Sequence, residues 1–310
     1  MGPIPALIKH RIITGAILIV GLLAIVWFDD WLEGVELWGG TITLPPGLVL
    51  LALTALILPL AALELTSIFA SIHERTFSTT DLRTRRIIMC GAALFGLFLS
   101  YIIHVYPADF SASESAAMLV FCLLGVYVTS LFSSGRAKEM KEIVNSAIAT
   151  VFSFGYLGLL LGMLLALRHD HSAWWLVGIV FITKSADIGA YFTGKAIDKH
   201  KLIPWLSPGK TWEGLGGGLV FACLVGMGFA MLSRSLENPS DHAPIWFGLV
   251  CGASFTFAGL LGDLHMSLLK RSAGLKDSST ILPGLGGVLD VLDSLLFVAP
   301  VAYWLVRLLP

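Results

Sequence analysis

Charged residues are scarce in this 310-residue chain: Asp, Glu, Lys and Arg together make up 13% of it, whereas apolar residues make up 56%. The mean hydropathy of +0.84 is far above that of a water-soluble globular domain. No long polar segment separates the apolar runs, so the composition excludes an ordinary soluble protein and indicates a membrane domain. A net charge of −1 provides no strongly basic surface, and we expect no nucleic-acid partner.

Several familiar site motifs are also missing. The four cysteines lie in apolar runs without CxxC or Cys/His spacing, which argues against a zinc site or a disulfide framework. The segment SPGKT contains a lysine and a threonine but lacks the first glycine of the P-loop pattern GxxxxGK[ST], and we expect no strand before it. No internal repeat is visible, which disfavours a transporter built from inverted repeats.

Nine apolar segments are long enough to cross a bilayer, which takes about 20 residues per helix. We therefore predict an all-α protein, a polytopic membrane bundle of about nine transmembrane helices, with its first span retained. Small residues inside the spans favour close helix contacts in lipid. The predicted spans cover about 12–28, 48–70, 87–105, 115–133, 143–167, 173–191, 214–232, 244–265 and 288–309.

Lysine and arginine are concentrated in alternate loops, and loops of that kind face the cytoplasm. With the amino terminus inside, 16 of the 20 basic residues fall on the cytoplasmic side, so the polar loops 192–213 and 266–287 both face the cytoplasm. We expect an integral protein of the inner (cell) membrane. The other basic loops, which contain Arg75, Arg136 and Lys138, are expected to set this topology.

Seven charged residues of the carboxy-terminal region lie within the short window of residues 262–294. Asp290 and Asp293 are three residues apart and share a helix face, so both carboxylates can meet one site near Asp263. Convergent carboxylates at a membrane edge suit Mg²⁺, which takes oxygen ligands completed by water and substrate phosphates. The alternative is that the two acids merely favour a helix amino terminus. The same window contains Lys270, Arg271, Lys276 and Asp277, whose cations can hold phosphates.

Two further segments bring polar residues toward the same membrane face. Lys184 and Asp187 are close enough to pair within the sixth span, either as a structural ion pair or as part of the site. SPGKT precedes a predicted helix, whose first N–H groups would form a phosphate seat together with Lys210; a simple capped turn is the alternative. Glu64 lies inside the second span, where a carboxyl that is paired with a neighbouring helix or kept protonated is the simpler explanation.

These residues resemble the signatures of the phosphatidate cytidylyltransferase, or CDP-diacylglycerol synthase, family over about residues 180–300. The main pattern, S-x-x-K-R-x4-K-D-x5-P-G-H-G-G-x-x-D-R-x-D, is matched by Ser267, Lys270, Arg271, Lys276, Asp277, Pro283, Gly284, Gly286, Gly287, Asp290 and Asp293. The upstream patterns D-x-x-A-Y-x-x-G and SPxKTxEG are matched by Asp187, Ala190, Tyr191, Gly194, Ser207, Pro208, Lys210, Thr211, Glu213 and Gly214. Asp263 matches a family GD pair.

The resemblance implies transfer of CMP from CTP, or dCMP from dCTP, to phosphatidate in the bilayer, for phospholipid biosynthesis. It divides the chain into amino-terminal transmembrane helices at 1–170 and a catalytic transmembrane region at 171–310. It implies Mg²⁺ or Mn²⁺, as one ion or two, on Asp263, Asp290 and Asp293, and it is compatible with a homodimer. Catalytic roles fall to Asp263, Lys270, Arg271, Lys276, Asp277 and Asp290. Substrate binding falls to Lys184, Asp187, Tyr191, Ser207, Lys210 and Thr211.

Two departures from the family pattern bear on activity. Leu285 stands where the family has histidine, and Val291 stands where it has arginine; Asp198 replaces a usual glycine. Because all the acidic and basic residues named above are present, we expect an active nucleotidyltransferase. The alternatives are a catalytically silent or altered-substrate relative and, more distantly, a secondary transporter.

Overall fold

The computed structural model describes residues 6–33, 35–37, 42–72, 79–105, 111–133, 140–236 and 241–308. Within these ranges nine helical segments are long and apolar enough to cross a membrane, which confirms the predicted all-α membrane bundle. Arg75, Arg136 and Lys138 lie outside the described residues. The helices are α1 (Ala6–Leu32), α2 (Leu48–Ile72), α3 (Thr79–Val105), α4 (Ala112–Ser133), α5 (Met140–Phe152), α6 (Leu160–Asp170), α7 (Trp174–Ile197), α8 (Trp212–Ser233), α9 (Ile245–Ser272) and α10 (Val288–Arg307).

The fifth span is not a regular α-helix. A π-helical segment, Ser153–Leu159, joins α5 to α6, and the three pieces together form one span. A π-helical turn shifts side chains off the faces that an α-helix would give them, and such turns are frequent at functional sites. This segment packs so tightly against α3 that a Cβ on Gly158 would lie 2.4 Å from the Ala93 carbonyl oxygen.

A short hairpin precedes α8, which corrects the expectation that no strand precedes SPGKT. The chain leaves α7 through Asp198, whose φ of 41° is left-handed, and then runs directly into the hairpin. SPGKT is itself the second strand, with Lys201 opposite Thr211. The strands described are β1 (Glu36–Leu37), β2 (Ile42–Thr43), β3 (Lys201–Ile203) and β4 (Ser207–Thr211), paired antiparallel as β1–β2 and β3–β4.

Successive spans run in opposite directions, so their connections fall at two ends of the bundle. The motif end contains the β3–β4 hairpin and the α9–α10 connection, and the opposite end contains the α6–α7 and α8–α9 connections. Helix α9 continues to Ser272, because Lys270 and Arg271 in its last turn favour the negative end of the helix dipole. The polar loops are therefore shorter than the predicted 192–213 and 266–287.

The carboxy-terminal helices pack in sequence, with α7 against α8, α8 against α9 and α9 against α10. Small residues permit the close approach, since a Cβ on Gly262 would lie 2.3 Å from the Asp293 carbonyl oxygen. Apolar side chains such as Phe255, Met266 and Leu289 fill the space between the helices. The contact at Gly262 brings acidic residues of α9 and α10 together at the motif end.

Candidate active site

A cavity of about 270 Å³ lies at the motif end between α7, the β3–β4 hairpin, α8 and α9. Helix α7 contributes Asp187 and Tyr191, β4 contributes Lys210 and Thr211, and α9 contributes Asp263. Residues predicted from three separate sequence segments therefore line one cavity. Its lining of one lysine, two aspartates and several apolar side chains is suited to an amphipathic ligand with a charged group.

A larger cavity, of about 380 Å³, lies between the same helices toward the opposite end. Its lining is almost wholly apolar and includes Phe181, Phe229 and Phe247. A charged ligand would lose its hydration there without gaining ionic partners. The smaller, polar cavity is therefore the candidate site.

Lys210 and Asp263 form an ion pair in the wall of this cavity. Their Nζ and Oδ2 atoms are 3.0 Å apart, and each side chain is 24% exposed, so the pair is shielded yet reachable. Thr211 caps α8, since its Oγ1 accepts a hydrogen bond from the Gly214 N–H at 3.0 Å. The capped turn considered from the sequence is present, and it places Lys210 beside the positive end of α8.

Asp263 also meets a second carboxylate. Asp293, on α10, is only 8% exposed and lies close enough to Asp263 for the two carboxylates to interact electrostatically. One Asp293 oxygen accepts the Ser294 N–H at 2.7 Å. We call Asp263 and Asp293 the acid pair. Two carboxylates this close repel each other unless a proton or a cation lies between them.

Lys184 and Asp187 make the predicted contact across one turn of α7. Their Nζ and Oδ2 atoms are 3.5 Å apart, and Lys184 also donates to the Ser294 hydroxyl at 2.7 Å. Asp187 is close enough to Asp263 and Lys210 to interact with both electrostatically. The polar ends of α7, α9 and α10 therefore form one continuous charged surface.

Asp290 occupies a different environment. Its Oδ1 accepts from Lys270 Nζ at 2.6 Å, and its Oδ2 accepts from the Gly287 N–H at 2.9 Å. The Ser278 N–H and hydroxyl donate to the same Oδ2 at 2.9 and 3.0 Å. Asp290 thus caps α10 and organises residues 273–287, which we call the signature loop.

The predicted metal trio of Asp263, Asp290 and Asp293 is therefore divided in this structure. Among the residues described, no three His, Cys, Asp or Glu side chains are grouped as a metal site. Asp290 and Asp293 share a helix face, but Asp290 is bound to the signature loop and Asp293 is turned toward α9. The acid pair on its own fits a hard divalent cation, whose remaining ligands would be water and substrate phosphate.

Glu64 on α2 is a contributor that the sequence motifs do not contain. Its buried carboxylate accepts from the Val288 and Leu289 N–H groups, both at 2.9 Å. The Ser279 hydroxyl donates to it at 2.6 Å, and the Ser278 hydroxyl, whose one hydrogen can go to either Glu64 or Asp290, lies 2.9 Å away. The expected pairing of Glu64 with a neighbouring helix is confirmed, and the partner is the positive end of α10. A carboxylate inside an apolar span was the available sequence signal.

The other predicted residues do not line the cavity. Arg271 is exposed and donates to the Leu275 carbonyl oxygen at 3.2 Å. Lys276 and Asp277 are exposed in the signature loop and bond to no residue that the structure describes. Ser207 begins β4 beside the cavity without lining it. The roles expected for these four residues remain predictions.

The two departures from the family pattern flank Asp290. Leu285 is half-buried, and its N–H donates to the Leu282 carbonyl oxygen at 3.0 Å in a tight turn of the signature loop. Gly286 follows with φ of 93°, a conformation that favours glycine. Val291 is half-buried in the first turn of α10. Neither Leu285 nor Val291 supplies a polar side chain to the site.

Fold and site together define an integral membrane protein with a charged cavity at one end of its helical bundle. A profile of the Cytidylyltransferase family matches residues 9–309, and the chain belongs to this family. The match covers both the motif segments and the amino-terminal helices. It does not favour a secondary transporter.

Individual relatives agree with this assignment. A phosphatidate cytidylyltransferase of Bacillus subtilis is 33% identical over 205 residues, which are 66% of this chain and 71% of the relative. One from Haemophilus influenzae is 38% identical over 163 residues, 50% of this chain and 56% of the relative. The uncharacterized protein YnbB of Escherichia coli is 36% identical over 174 residues, 56% of each chain. The chain thus spans about half the length of several curated relatives that it matches.

Proposed function

We propose that this protein transfers CMP from CTP to phosphatidate, giving CDP-diacylglycerol and diphosphate. The observation that carries the proposal is the meeting of three motif segments at one cavity, where Asp187, Lys210 and Asp263 face each other. The Bacillus and Haemophilus relatives are phosphatidate cytidylyltransferases, which supports the choice of phosphatidate as acceptor. An ionic cavity inside an apolar bundle matches a reaction between a soluble nucleotide and a lipid.

In the proposed reaction, an oxygen of the lipid phosphomonoester forms a bond to the α-phosphorus of CTP. The bond from the α-phosphorus to the bridging oxygen of the diphosphate breaks, and diphosphate leaves with that electron pair. No covalent intermediate with the protein is needed, so positioning and charge neutralisation dominate. Lys210, beside the positive end of α8, binds phosphate of the nucleotide. Lys184, deeper in the bundle, binds the phosphate of the lipid.

The acid pair is the proposed site for Mg²⁺ or Mn²⁺. A cation held there would offset negative charge on the phosphate oxygens and on the leaving diphosphate. Asp290 supports this site indirectly, because it fixes the signature loop and Lys270 at the start of α10. Lys270, about two turns beyond Asp263 on α9, is thereby held at the entrance to the site.

The motif end faces the cytoplasm of the cell membrane in this proposal. The concentration of lysine and arginine in the loops of this end supports that orientation, and CTP is available on that side. Tyr191 and Phe192 are 60% and 67% exposed on α7. They form an apolar rim through which a lipid substrate can enter from the bilayer. A homodimer remains a prediction, to be measured by light scattering in detergent.

Release of diphosphate tests the proposed function directly. Purified protein in detergent should release diphosphate only when CTP, a divalent cation and phosphatidate are all supplied, and chelation should stop it. Replacing phosphatidate by diacylglycerol, which has no phosphate nucleophile, should give no release. Folded protein that releases no diphosphate with any pairing of nucleotide and lipid phosphate would overturn the proposal.

The departures at Leu285 and Val291 require a second comparison. The double variant Leu285→His, Val291→Arg restores the family pattern, and we expect it to change turnover by less than about tenfold, since the acid pair and Lys210 are already in place. Activity that appears only in the double variant would identify the natural chain as a silent relative.

A further inference from the structure

Four rings pack together behind the acid pair, and we call them the ring cluster: Phe152, Tyr156, His265 and Phe297. Tyr156 stacks on Phe152 with ring centroids 4.7 Å apart and packs against His265 at 5.3 Å. His265 in turn packs against Phe297 at 5.4 Å. None of these residues belongs to the sequence motifs, and Tyr156 comes from the amino-terminal helices, within residues 1–170.

Two polar atoms inside the ring cluster lack partners. The Tyr156 hydroxyl and the His265 Nε2 are both buried, and neither hydrogen-bonds to any residue that the structure describes. Buried polar atoms are nearly always bonded to protein, water or ligand, so such a pair calls for an explanation. A second tyrosine and histidine are hydrogen-bonded to each other instead: the Tyr303 hydroxyl and the His104 Nε2 are 2.8 Å apart.

The position of Tyr156 relates these atoms to the site. Its ring is 6% exposed, and it is close enough to Asp293 and Asp263 to interact with both electrostatically. It stands on the π-helical segment Ser153–Leu159, which interrupts the regular helix at this depth. His265 follows Asp263 by two residues on α9. Neither Tyr156 nor His265 lines the cavity, so their unpaired atoms approach the acid pair from outside it.

We propose that Tyr156 is a positioning residue of the site, whose hydroxyl donates a hydrogen bond to the acid pair, directly or through one water, when a divalent cation is bound. His265 completes the same network through its Nε2. Partners of this kind orient carboxylate ligands, and their removal costs about tenfold to a hundredfold in cation affinity or activity. The π-helical segment explains how an amino-terminal helix reaches the carboxy-terminal site.

The test removes one oxygen atom. Tyr156→Phe keeps the ring and its stacking, and Tyr303→Phe is the matched control, because it removes a hydroxyl at the opposite end. Mn²⁺ binding is measured by electron paramagnetic resonance on detergent-solubilised protein, without nucleotide or lipid. We expect Tyr156→Phe to bind Mn²⁺ about tenfold more weakly and Tyr303→Phe to bind it as the unaltered protein does. His265→Phe should weaken Mn²⁺ binding in the same direction.

Turnover provides a second readout, which rests on the proposed function. In Tyr156→Phe, kcat should fall about tenfold at saturating Mn²⁺, while KM for CTP stays within about twofold. Unchanged Mn²⁺ affinity in folded Tyr156→Phe, or an unaltered protein that binds no Mn²⁺, would overturn the inference. Weakened Mn²⁺ binding in Tyr156→Phe, in a protein without cytidylyltransfer, would instead support the inference and refute the proposed function.

Discussion

The two ends of the bundle hold charged side chains in opposite ways. At the opposite end, Arg168 is 1% exposed, and each of its nitrogens donates to the protein. Its Nε reaches Asp29 and one Nη reaches Glu33, both at 2.7 Å, while the other Nη reaches the His171 carbonyl oxygen at 3.2 Å. Asp29 also accepts from backbone N–H groups at the start of α2. All three side-chain nitrogens of Arg168 therefore have acceptors within the protein, and we call such a network closed.

Around the cavity of the motif end, by contrast, the charges are left open to a ligand. Lys210 and Asp263 face a cavity, and Asp263 lies beside Asp293 rather than beside a second cation. A closed network holds helices together, because removing one partner strands a buried charge. In an open network some charged groups lack partners of opposite charge within the protein, and a phosphate or a cation can supply those partners. Residue types alone do not separate the Arg168 network from the Lys210 and Asp263 cavity; the completeness of the bonding around these charged side chains does.

The largest effect is expected from Asp263→Asn, which should lower turnover about a thousandfold or more. The substitution keeps the shape of the side chain but removes half of the negative charge of the acid pair, so the cation and the phosphates lose their electrostatic support. Diphosphate release and thermal unfolding in detergent measure the two consequences separately. We expect the melting temperature to stay near that of the unaltered protein.

Asp263→Asn is a better probe than Asp290→Asn. Asp290 accepts four hydrogen bonds that organise the signature loop, so its replacement would disturb structure and chemistry together. If Asp263→Asn retained normal turnover, the acid pair would have no place in the site.

Asp29→Asn should show the reverse pattern, with stability lowered by about 3 kcal/mol and kcat per folded molecule unchanged. The amide can still accept from the α2 backbone, but the buried Arg168 loses its closest carboxylate. Thermal unfolding combined with turnover normalised to folded protein checks this. A large fall in normalised kcat would show that the two ends are coupled.

The sequence predicted the spans well because each helix must be apolar along its whole length. It also indicated which segments form the site, since charges among apolar residues are informative. The expected convergence of Asp290 with Asp293 was not found, because the direction of each carboxylate depends on its own partners, such as Ser278 for Asp290 and Ser294 for Asp293. Tyr156 could not be recognised, because a π-helical segment has no clear pattern in sequence.

Glu64→Gln should give an intermediate effect, because Glu64 connects an amino-terminal helix to the signature loop. The amide nitrogen cannot accept a hydrogen bond, so one donor among the α10 N–H groups and serine hydroxyls loses its partner, at about 2 kcal/mol. Turnover should fall about tenfold as the loop loosens. Glu33→Gln at the opposite end is the matched control, since its side chain is half-exposed and the change should leave turnover intact. If both variants had the same turnover, Glu64 would have no role in holding the site in place.

The smallest effect is expected from Asp170→Asn at the surface of the opposite end. Asp170 and Arg307 are 45% and 46% exposed and 3.5 Å apart, so water and salt screen their attraction. The change should lower stability by about 0.5 kcal/mol and leave turnover untouched, as thermal unfolding at low and high salt would show. A loss approaching that of Asp29→Asn would mean that the closed network extends from Arg168 to the surface. The contrast between the two ends would then reflect the size of each ionic network rather than its openness to a ligand.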